Sequence, residues 1–164
     1  MKHTLSVLVL NKPGVLARIS GLLSRRMFNI ESITAGYSEE PNITRITIVV
    51  QGDDLVLEQV INQLSKLIDV IKIKELPMEE TIARELALIK VRALPEKRAD
   101  IVNIVNIFRA NIVDVNRETM VIELTGDEDK INALCEVLTD HGIVEIVRTG
   151  KVALNRGPRP AKDL

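Results

Sequence analysis

The feature that most constrains this chain is an internal repeat, in which turn and capping residues recur at a fixed distance. Pro13 and Pro95 are 82 residues apart, and the Asn-Ile pairs that begin at Asn29 and Asn111 share that spacing. A spacing kept at residues that end strands and helices indicates duplication of one structural unit. The chain of 164 residues is therefore predicted to contain two similar domains in tandem.

Later in the chain the spacing of the repeat changes. The Gly-Asp pairs that begin at Gly52 and Gly126 are 74 residues apart, which is 8 fewer than the earlier spacing, and Asp53 and Asp127 are candidate N-caps of the helices that follow. The first copy has the longer connection before this point, over residues 36–43, which include Gly, Ser, Pro and Asn. The two copies are thus predicted to differ in the length of one hairpin loop.

Hydrophobic periodicity gives the same succession of elements in each copy. In the first copy the predicted elements are strand 5–10, helix 16–27, strand 30–37, strand 46–50, helix 57–68 and strand 71–73. In the second copy they are strand 86–93, helix 101–108, strand 112–115, strand 120–124, helix 131–138 and a last strand within 143–154. The order βαββαβ predicts an antiparallel four-stranded sheet with both helices on one face. The predicted fold class is α+β, with two tandem ferredoxin-like units.

Domain boundaries follow from where the periodicity stops. We predict a first domain over residues 1–76, a linker over 77–81, a second domain over 82–155 and a disordered tail over 156–164. The tail is assigned as disordered because Gly and Pro are concentrated at this terminus.

The first predicted strand is apolar on both of its faces. Leu5, Val7 and Val9 lie on one face, and Leu8 and Leu10 lie on the other. Helices cover only one face of such a sheet, so the other face is predicted to be buried against another subunit or domain. A symmetric homodimer is the expected form.

Composition excludes several classes of function. The formal net charge is −1, which provides no basic field for nucleic acid. Only 2% of the residues are aromatic, and the predicted central strands lack the aromatic side chains on which RNA bases stack. The apolar runs stay well short of the roughly 20 residues that a membrane span needs. Cys135 is the only cysteine, so no intrachain disulfide can form, and a reduced cytoplasmic setting is expected.

The sequence contains none of the common catalytic motifs. It has no HExxH, no GxSxG and no glycine-rich phosphate loop. His3 and His141 lie near a terminus and in a turn, where solvated side chains are expected. Cys135 is expected to be a small buried hydrophobic residue. We therefore expect no catalytic and no metal-binding residues in this chain.

The segment Asn11 to Leu16, which joins the first strand to the first helix, is the candidate binding site. Gly14 permits a close approach of the backbone to a ligand, and the free N–H groups of the helix start just after it. Such a site suits a small anion, for example the α-carboxylate of an amino acid. Asn11 offers an amide oxygen to an ammonium group, and Val15 and Leu16 offer aliphatic surface.

Asn29 and Ile30 stand where the first helix leads into the second strand. Asn29 is a further candidate, yet a purely structural interpretation fits as well, with the preceding loop as a tight turn and Asn29 as the C-cap of the helix. The second copy keeps the Pro and the Asn-Ile pair but has Glu96 where the first has Gly14. A carboxylate there would repel a ligand carboxylate, so the second domain is not expected to bind the same ligand.

Several long segments resemble one family over nearly the whole chain. They are LSVLVLNKPGVLARISGLLSRRMFNIESITAG, TRITIVVQGDDLVLEQVINQLSKLIDVIKI, ARELALIKVRA and VEIVRTGKVALNRG. The motif NKPGVLARI is typical of an ACT domain. RRMFNIESI together with ARELALIKV resembles the regulatory (small) subunit of acetolactate synthase, also called acetohydroxyacid synthase. By this resemblance the N-terminal unit is an ACT domain and the C-terminal unit is ACT-like.

The resemblance implies a function that the spacing of residues does not show. Members of the family have no active site and activate a catalytic (large) subunit, a transferase on which thiamine diphosphate, Mg and FAD are expected. No cofactor is expected in this chain. The family confers feedback inhibition by valine in branched-chain amino-acid biosynthesis, and its ACT domains dimerise side by side. The residues implied to hold valine are Asn11, Gly14, Val15 and Leu16 of one protomer and Asn29 and Ile30 of its partner.

An alternative from another class is a free-standing ACT sensor that acts on a different enzyme or on a transcription factor. No helix-turn-helix pattern or basic patch supports DNA binding. Recovery of a different enzyme in a pull-down would favour this alternative.

Overall fold

The computed structural model describes residues 1–158 and divides the chain into two compact units. The first unit is formed by Met1–Ile82 together with the segment that begins at Lys151. The second unit is formed by Ala83–Gly150. Within the described residues no peptide bond is cis.

The first unit has the predicted βαββαβ order. Its elements are β1 (Lys2–Leu10), α1 (Val15–Arg25), β2 (Asn29–Tyr37), β3 (Ile43–Gln51), α2 (Asp54–Leu64) and β4 (Val70–Glu75). The strands are antiparallel and lie in the order β2-β3-β1-β4, so β1 and β3 are central and β2 and β4 are edge strands. The expectation of an antiparallel sheet is confirmed.

The second unit repeats this architecture. Its elements are β5 (Thr81–Arg92, whose first two residues belong to the first unit), α3 (Arg98–Ile107), β6 (Asn111–Val115), β7 (Thr119–Gly126), α4 (Glu128–Leu138) and β8 (Ile143–Arg148). The strand order β6-β7-β5-β8 matches that of the first unit position by position. The prediction of two tandem ferredoxin-like units is therefore confirmed.

The end of the chain forms one strand more than the periodicity predicted. Gly150, with φ of +86°, separates β8 from β9 (Val152–Asn155). The N–H of Arg156 donates to the carbonyl of Glu80 at 2.7 Å, so this segment lies in the first unit. The predicted disordered tail, 156–164, has its first three residues in bends, and the rest of it lies outside the described residues.

Each unit has its own aliphatic core between the sheet and its two helices. The first core contains Leu5, Val7, Val9, Val15, Ile19, Leu23, Ile46, Ile48, Val50, Leu57, Val60 and Leu64. The second contains Ala87, Ile89, Val91, Ala93, Ile101, Val105, Met120, Ile122, Leu124, Ile131, Leu134 and Leu138. Apart from Val15 and Ala93, every member of one core has its counterpart in the other at the spacings of 82 or 74 residues. The repeat seen in the sequence is thus a repeat of packing positions.

The repeated Gly-Asp pair begins the second helix of each unit. Asp53 accepts a hydrogen bond from the N–H of Val56, and Asp127 accepts one from Lys130, both at 2.9 Å. These are N-cap bonds, as expected for Asp at this position. A Cβ atom on Gly52 would lie 2.6 Å from Cγ1 of Val56, which accounts for the glycine before the cap.

Three details of the first unit differ from the sequence-based expectations. Helix α2 ends at Leu64, so Ile68 is not on its apolar stripe and is 94% exposed. Helix α1 ends at Arg25, and Met27 takes a left-handed conformation with φ of +55°. His3 was expected to be solvated, but it is buried at the start of β1.

The burial of His3 follows from its place in the central strand. Its Nδ1 lies 3.0 Å from Oε1 of Glu75 on the neighbouring strand β4. A residue near the terminus of the chain is therefore part of the hydrogen-bonded interior, because the strand extends to Lys2 and not only to Leu5.

Candidate functional site

The loop between β1 and α1, residues 11–14, is fixed to neighbouring elements where it leaves the sheet. The N–H of Leu10 donates to the carbonyl of Asp69 at 2.9 Å, and that of Asn11 donates to the carbonyl of Asn42 at 2.7 Å. The Asn11 side chain is exposed and hydrogen-bonds to no other described residue. Its amide is therefore available to a ligand.

Gly14 begins helix α1 in a conformation that other residues rarely adopt. Its φ is +84°, which is left-handed, and its carbonyl accepts the N–H of Arg18 at 2.9 Å. No side chain caps this helix start. The first N–H groups of an α-helix have no acceptor within the helix, so they can bind an anion at this point.

The two aliphatic candidates that follow the glycine have different surroundings. Val15 is buried and belongs to the core, so its side chain is not available to a ligand. Leu16 is about half exposed, with 49% of its surface accessible. Asn11, Gly14 and Leu16 are therefore exposed within one short segment, and Val15 anchors the start of the helix in the core.

Asn29 is the first residue of β2 and not the C-cap of α1, whose last residue is Arg25. Its side-chain N–H donates to Oε1 of Gln51 on β3 at 2.8 Å. Gln51 is also the register partner of Lys2, so Asn29 lies level with the beginning of β1. The structural alternative in which Asn29 caps the helix is wrong.

Asn29 and Ile30 consequently lie at the opposite end of the sheet from the loop at 11–14. Strand β1 runs from Lys2, level with Asn29, to Leu10, where the loop begins. At about 3.3 Å per residue this length is roughly 26 Å. One protomer therefore does not bring the two groups of candidate residues together.

The corresponding loop of the second unit has a different backbone. Residues Pro95–Lys97 form a single turn of 3₁₀ helix, and Glu96 is exposed in place of the left-handed Gly14. Arg98 ties this loop to a neighbouring turn, donating to the carbonyls of Ala93, Asn116 and Arg117 at 2.6–2.9 Å. The shape of the candidate site is not repeated in this unit.

Two models of known families match the chain, one for each unit. Residues 5–72 match the ACT domain of small subunits of acetohydroxyacid synthase, and residues 84–157 match the small subunit of acetolactate synthase. A probable acetolactate synthase small subunit from Archaeoglobus fulgidus is 59% identical, over 96% of this chain and 98% of that relative. The acetolactate synthase small subunit from Mycolicibacterium smegmatis is 54% identical, over 96% of this chain and 92% of that relative.

The chain belongs to the acetolactate synthase small-subunit family. A crystal structure of the acetolactate synthase small subunit from Thermotoga maritima superposes with a TM-score of 0.90 and 45% identity, and the match covers 97% of this chain and 99% of that one. The loop at 11–14 and the start of β2 both lie within the ACT domain of the family.

Sequence reasoning missed two residues beside the loop of this small subunit. Arg18 donates from Nε and Nη2 to Oδ2 of Asp69, at 3.0 and 2.5 Å. Arg18 follows Gly14 by four residues, or about one helical turn, and this spacing could have placed its side chain beside the loop. Asp69 is 51 residues further along the chain, and no local pattern connects it with the loop.

The described residues of the small subunit contain no assembled metal site. Among residues 1–158, no group of three or more His, Cys, Asp and Glu side chains is placed to hold a metal ion. Burial raises the pKa of the Cys135 thiol, and the charge of Arg148 lowers it by less. Within the same residues no helix is long and apolar enough to span a membrane.

Proposed function

We propose that this small subunit activates the catalytic subunit of acetolactate synthase and makes it sensitive to feedback inhibition by valine. The catalytic subunit would supply the active site, with thiamine diphosphate, Mg and FAD, and this chain would supply none of the reacting groups. Such a complex serves the synthesis of valine, leucine and isoleucine. We further propose that the chain acts in the cytoplasm, together with this biosynthetic enzyme.

The observation that best supports an effector site shared between protomers is the edge strand β2, because one protomer alone keeps the two groups of candidate residues apart. Strand β2 is an edge strand, and along its length many side chains are exposed, including Ala35 and Tyr37. If two copies of β2 pair antiparallel about a two-fold axis, the first residue of one strand lies level with the last residue of the other. Tyr37 pairs with Thr44, close to the end of β1. Asn29 of the partner subunit would then lie near the loop at 11–14.

Each part of an amino acid has a chemical counterpart in this arrangement. The uncapped start of α1, after Gly14, suits the α-carboxylate through backbone N–H groups and the positive end of the helix dipole. The side-chain oxygens of Asn11 and of Asn29 of the partner subunit suit the ammonium group. Leu16 and the partner subunit's Ile30 suit a branched aliphatic side chain.

Inhibition would follow from linkage between effector binding and the state of the complex. Valine can shift the complex only if it binds the inhibited state more tightly than the active one. Couplings of this kind are typically about 1–3 kcal/mol, which is sufficient for a 5- to 150-fold change in affinity.

The deciding experiment measures acetolactate formation from pyruvate by the catalytic subunit of the same organism, with and without this chain. We expect a large rise in rate on adding the chain, and reversal of that rise by valine. A rise that valine does not reverse would reject the effector site and keep the activating role. No rise at all would reject both and would favour the free-standing sensor.

A further inference from the structure

We propose that Arg18 and Asp69 are positioning residues that hold the loop at 11–14 in the shape that binds the effector. We call this pair the loop clamp. The inference rests on the proposed function, because it assumes that the loop binds the carboxylate of an amino acid. It assigns a role in effector affinity to two residues that do not themselves contact the effector.

Asp69 connects both sides of the loop. Its carbonyl accepts the N–H of Leu10 at 2.9 Å, at the end of β1, just before the loop. Its carboxylate accepts two bonds from Arg18, in the first turns of α1, just after the loop. Asp69 is only 6% exposed, so its charge is withdrawn from solvent, and Arg18 is the cation that compensates for it.

Arg18 also lies directly against the loop. A Cβ atom on Gly14 would be 3.1 Å from Nη1 of Arg18, so the guanidinium is in close contact with the loop at this glycine. Nη1 donates to no acceptor among residues 1–158, since this side chain forms its hydrogen bonds through Nε and Nη2. The guanidinium thus borders the exposed Gly14 on one side, while its other edge holds Asp69.

The duplication shows that the fold itself does not need this ion pair. In the second unit the N–H of Arg92 donates to the carbonyl of Gly142 at 2.9 Å, which repeats the bond from Leu10 to Asp69. Gly142 has no carboxylate, and Asp100 stands at the position of Arg18. The backbone bond is common to both units, but the clamp occurs only where the left-handed Gly14 loop occurs.

Two physical effects link the clamp to effector affinity. A loop that is already held in its bound shape loses less conformational freedom on binding, which strengthens binding. In addition, an uncompensated carboxylate at position 69 would repel an anion at the adjacent helix start. Removing Arg18 removes both advantages, whereas removing the charge of Asp69 loosens the loop without leaving a repulsive charge.

The test measures the dissociation constant of L-valine for the full-length chain by isothermal titration calorimetry. We expect Arg18→Gln to raise this constant by about tenfold or more, and Asp69→Asn and Arg18→Lys to raise it by smaller factors. Because both residues act through one interaction, the double variant R18Q/D69N should bind no more weakly than R18Q alone.

Arg148→Gln is a matched control in the second unit. Arg148 donates from Nε and Nη2 to the two carboxylate oxygens of the nearly buried Glu85, at 3.1 and 2.6 Å. Loss of this ion pair should destabilise the protein in thermal unfolding about as much as Arg18→Gln does. It should nevertheless leave the dissociation constant of valine within about twofold of wild type. Should R18Q fail to fold, R18K and D69N carry the same comparison.

The outcomes separate this inference from the proposed function. Valine constants of R18Q and D69N within about twofold of wild type would overturn the clamp, and so would an equal loss in R148Q. Suppose that the wild-type protein binds valine and that Asn11→Ala weakens this binding. If the clamp variants then bind valine as tightly as wild type, only the clamp is wrong. If the wild-type chain binds no valine, the proposed effector site and the clamp are both wrong, while the activating role is decided separately by the rate of acetolactate formation.

Discussion

At the scale of single residues, Gly14 combines two features that favour glycine over residues with a side chain. Its φ of +84° favours glycine, and the space beside its Cα is occupied by the guanidinium of Arg18. A substitution here therefore carries a backbone strain of about 1–3 kcal/mol, and a new Cβ would make a tight contact with Arg18 that requires the guanidinium to shift slightly. We therefore expect this single position to affect the shape of the loop and, in the proposed site, the access of a ligand to the helix start.

Replacing Gly14 by Asp should abolish most valine sensitivity. The new carboxylate would stand at the proposed carboxylate site, and its backbone would be strained. We expect the valine concentration for half-inhibition of the complex to rise by at least about tenfold, with activation of the catalytic subunit retained. Inhibition curves of the reconstituted complex measure this directly, and an unchanged curve would reject Gly14 as part of the site.

The partly buried Cys135 provides a second prediction for a single residue, which concerns the reactivity of its thiol. Because burial raises the pKa of its thiol, a smaller fraction is thiolate at about pH 8 than for an exposed cysteine. We expect Ellman's reagent to react more slowly with the native protein than with the unfolded chain, and the rate to keep rising as the pH increases further. Since Arg148 lowers this pKa, Arg148→Gln should slow the reaction further. Equal rates for native and unfolded protein would contradict this assignment.

At the scale of elements, the second helix of each unit begins with the same device. A glycine leaves room for the side chain at the third helical position, and an aspartate accepts that residue's N–H. Because these contacts span only a few residues, the sequence motif is sufficient to predict them.

Removing the cap of α2 should destabilise the first unit. We expect Asp53→Ala to lower the free energy of unfolding by about 1 kcal/mol, because the N–H of Val56 loses its acceptor. Urea unfolding followed by circular dichroism measures the change. Glu58→Ala, on the exposed side of the same helix, is the control and should change stability by less than about 0.5 kcal/mol. A similar loss in both variants would show that the cap has no special role.

At the scale of the whole molecule, the proposed effector site depends on the edge strand β2 more than on any one side chain. It pairs only with β3, and its other edge is open in the described residues. An open edge of nine residues is a ready site for pairing with a second copy. The effector site that we propose forms only when that pairing takes place.

A charge introduced on this edge should therefore separate the subunits, and the same substitution should weaken effector binding. We expect Ala35→Glu to shift the chain toward the monomer in sedimentation velocity, because the pairing that puts Asn29 level with Tyr37 would place the new carboxylate opposite Glu31 of the partner subunit. The dissociation constant of valine should rise as the fraction of monomer rises. Val113→Glu, on the exposed edge strand β6 of the second unit, is the control. A dimer that persists in Ala35→Glu, or dissociates equally in the control, would argue against pairing through β2.

The sequence by itself determined the features that depend on neighbours in the chain. Alternation and helical periodicity fixed the two βαββαβ units, and the repeated Gly-Asp pair fixed two helix starts. Gly14 stood out because a glycine between a strand and a helix is typical of a tight turn with positive φ. In each case the interacting groups are separated by about four residues or fewer, so their spacing is visible in the sequence.

Only the tertiary structure decided which distant residues meet. It placed Asp69 against Arg18, buried His3 beside Glu75, and returned β9 to the first unit. It also set Asn29 roughly 26 Å from the loop at 11–14, because the two lie at opposite ends of the same sheet. Such contacts join residues up to about seventy positions apart, and they depend on sheet order and register. Local periodicity carries no information on either, so these features had to be found in the fold.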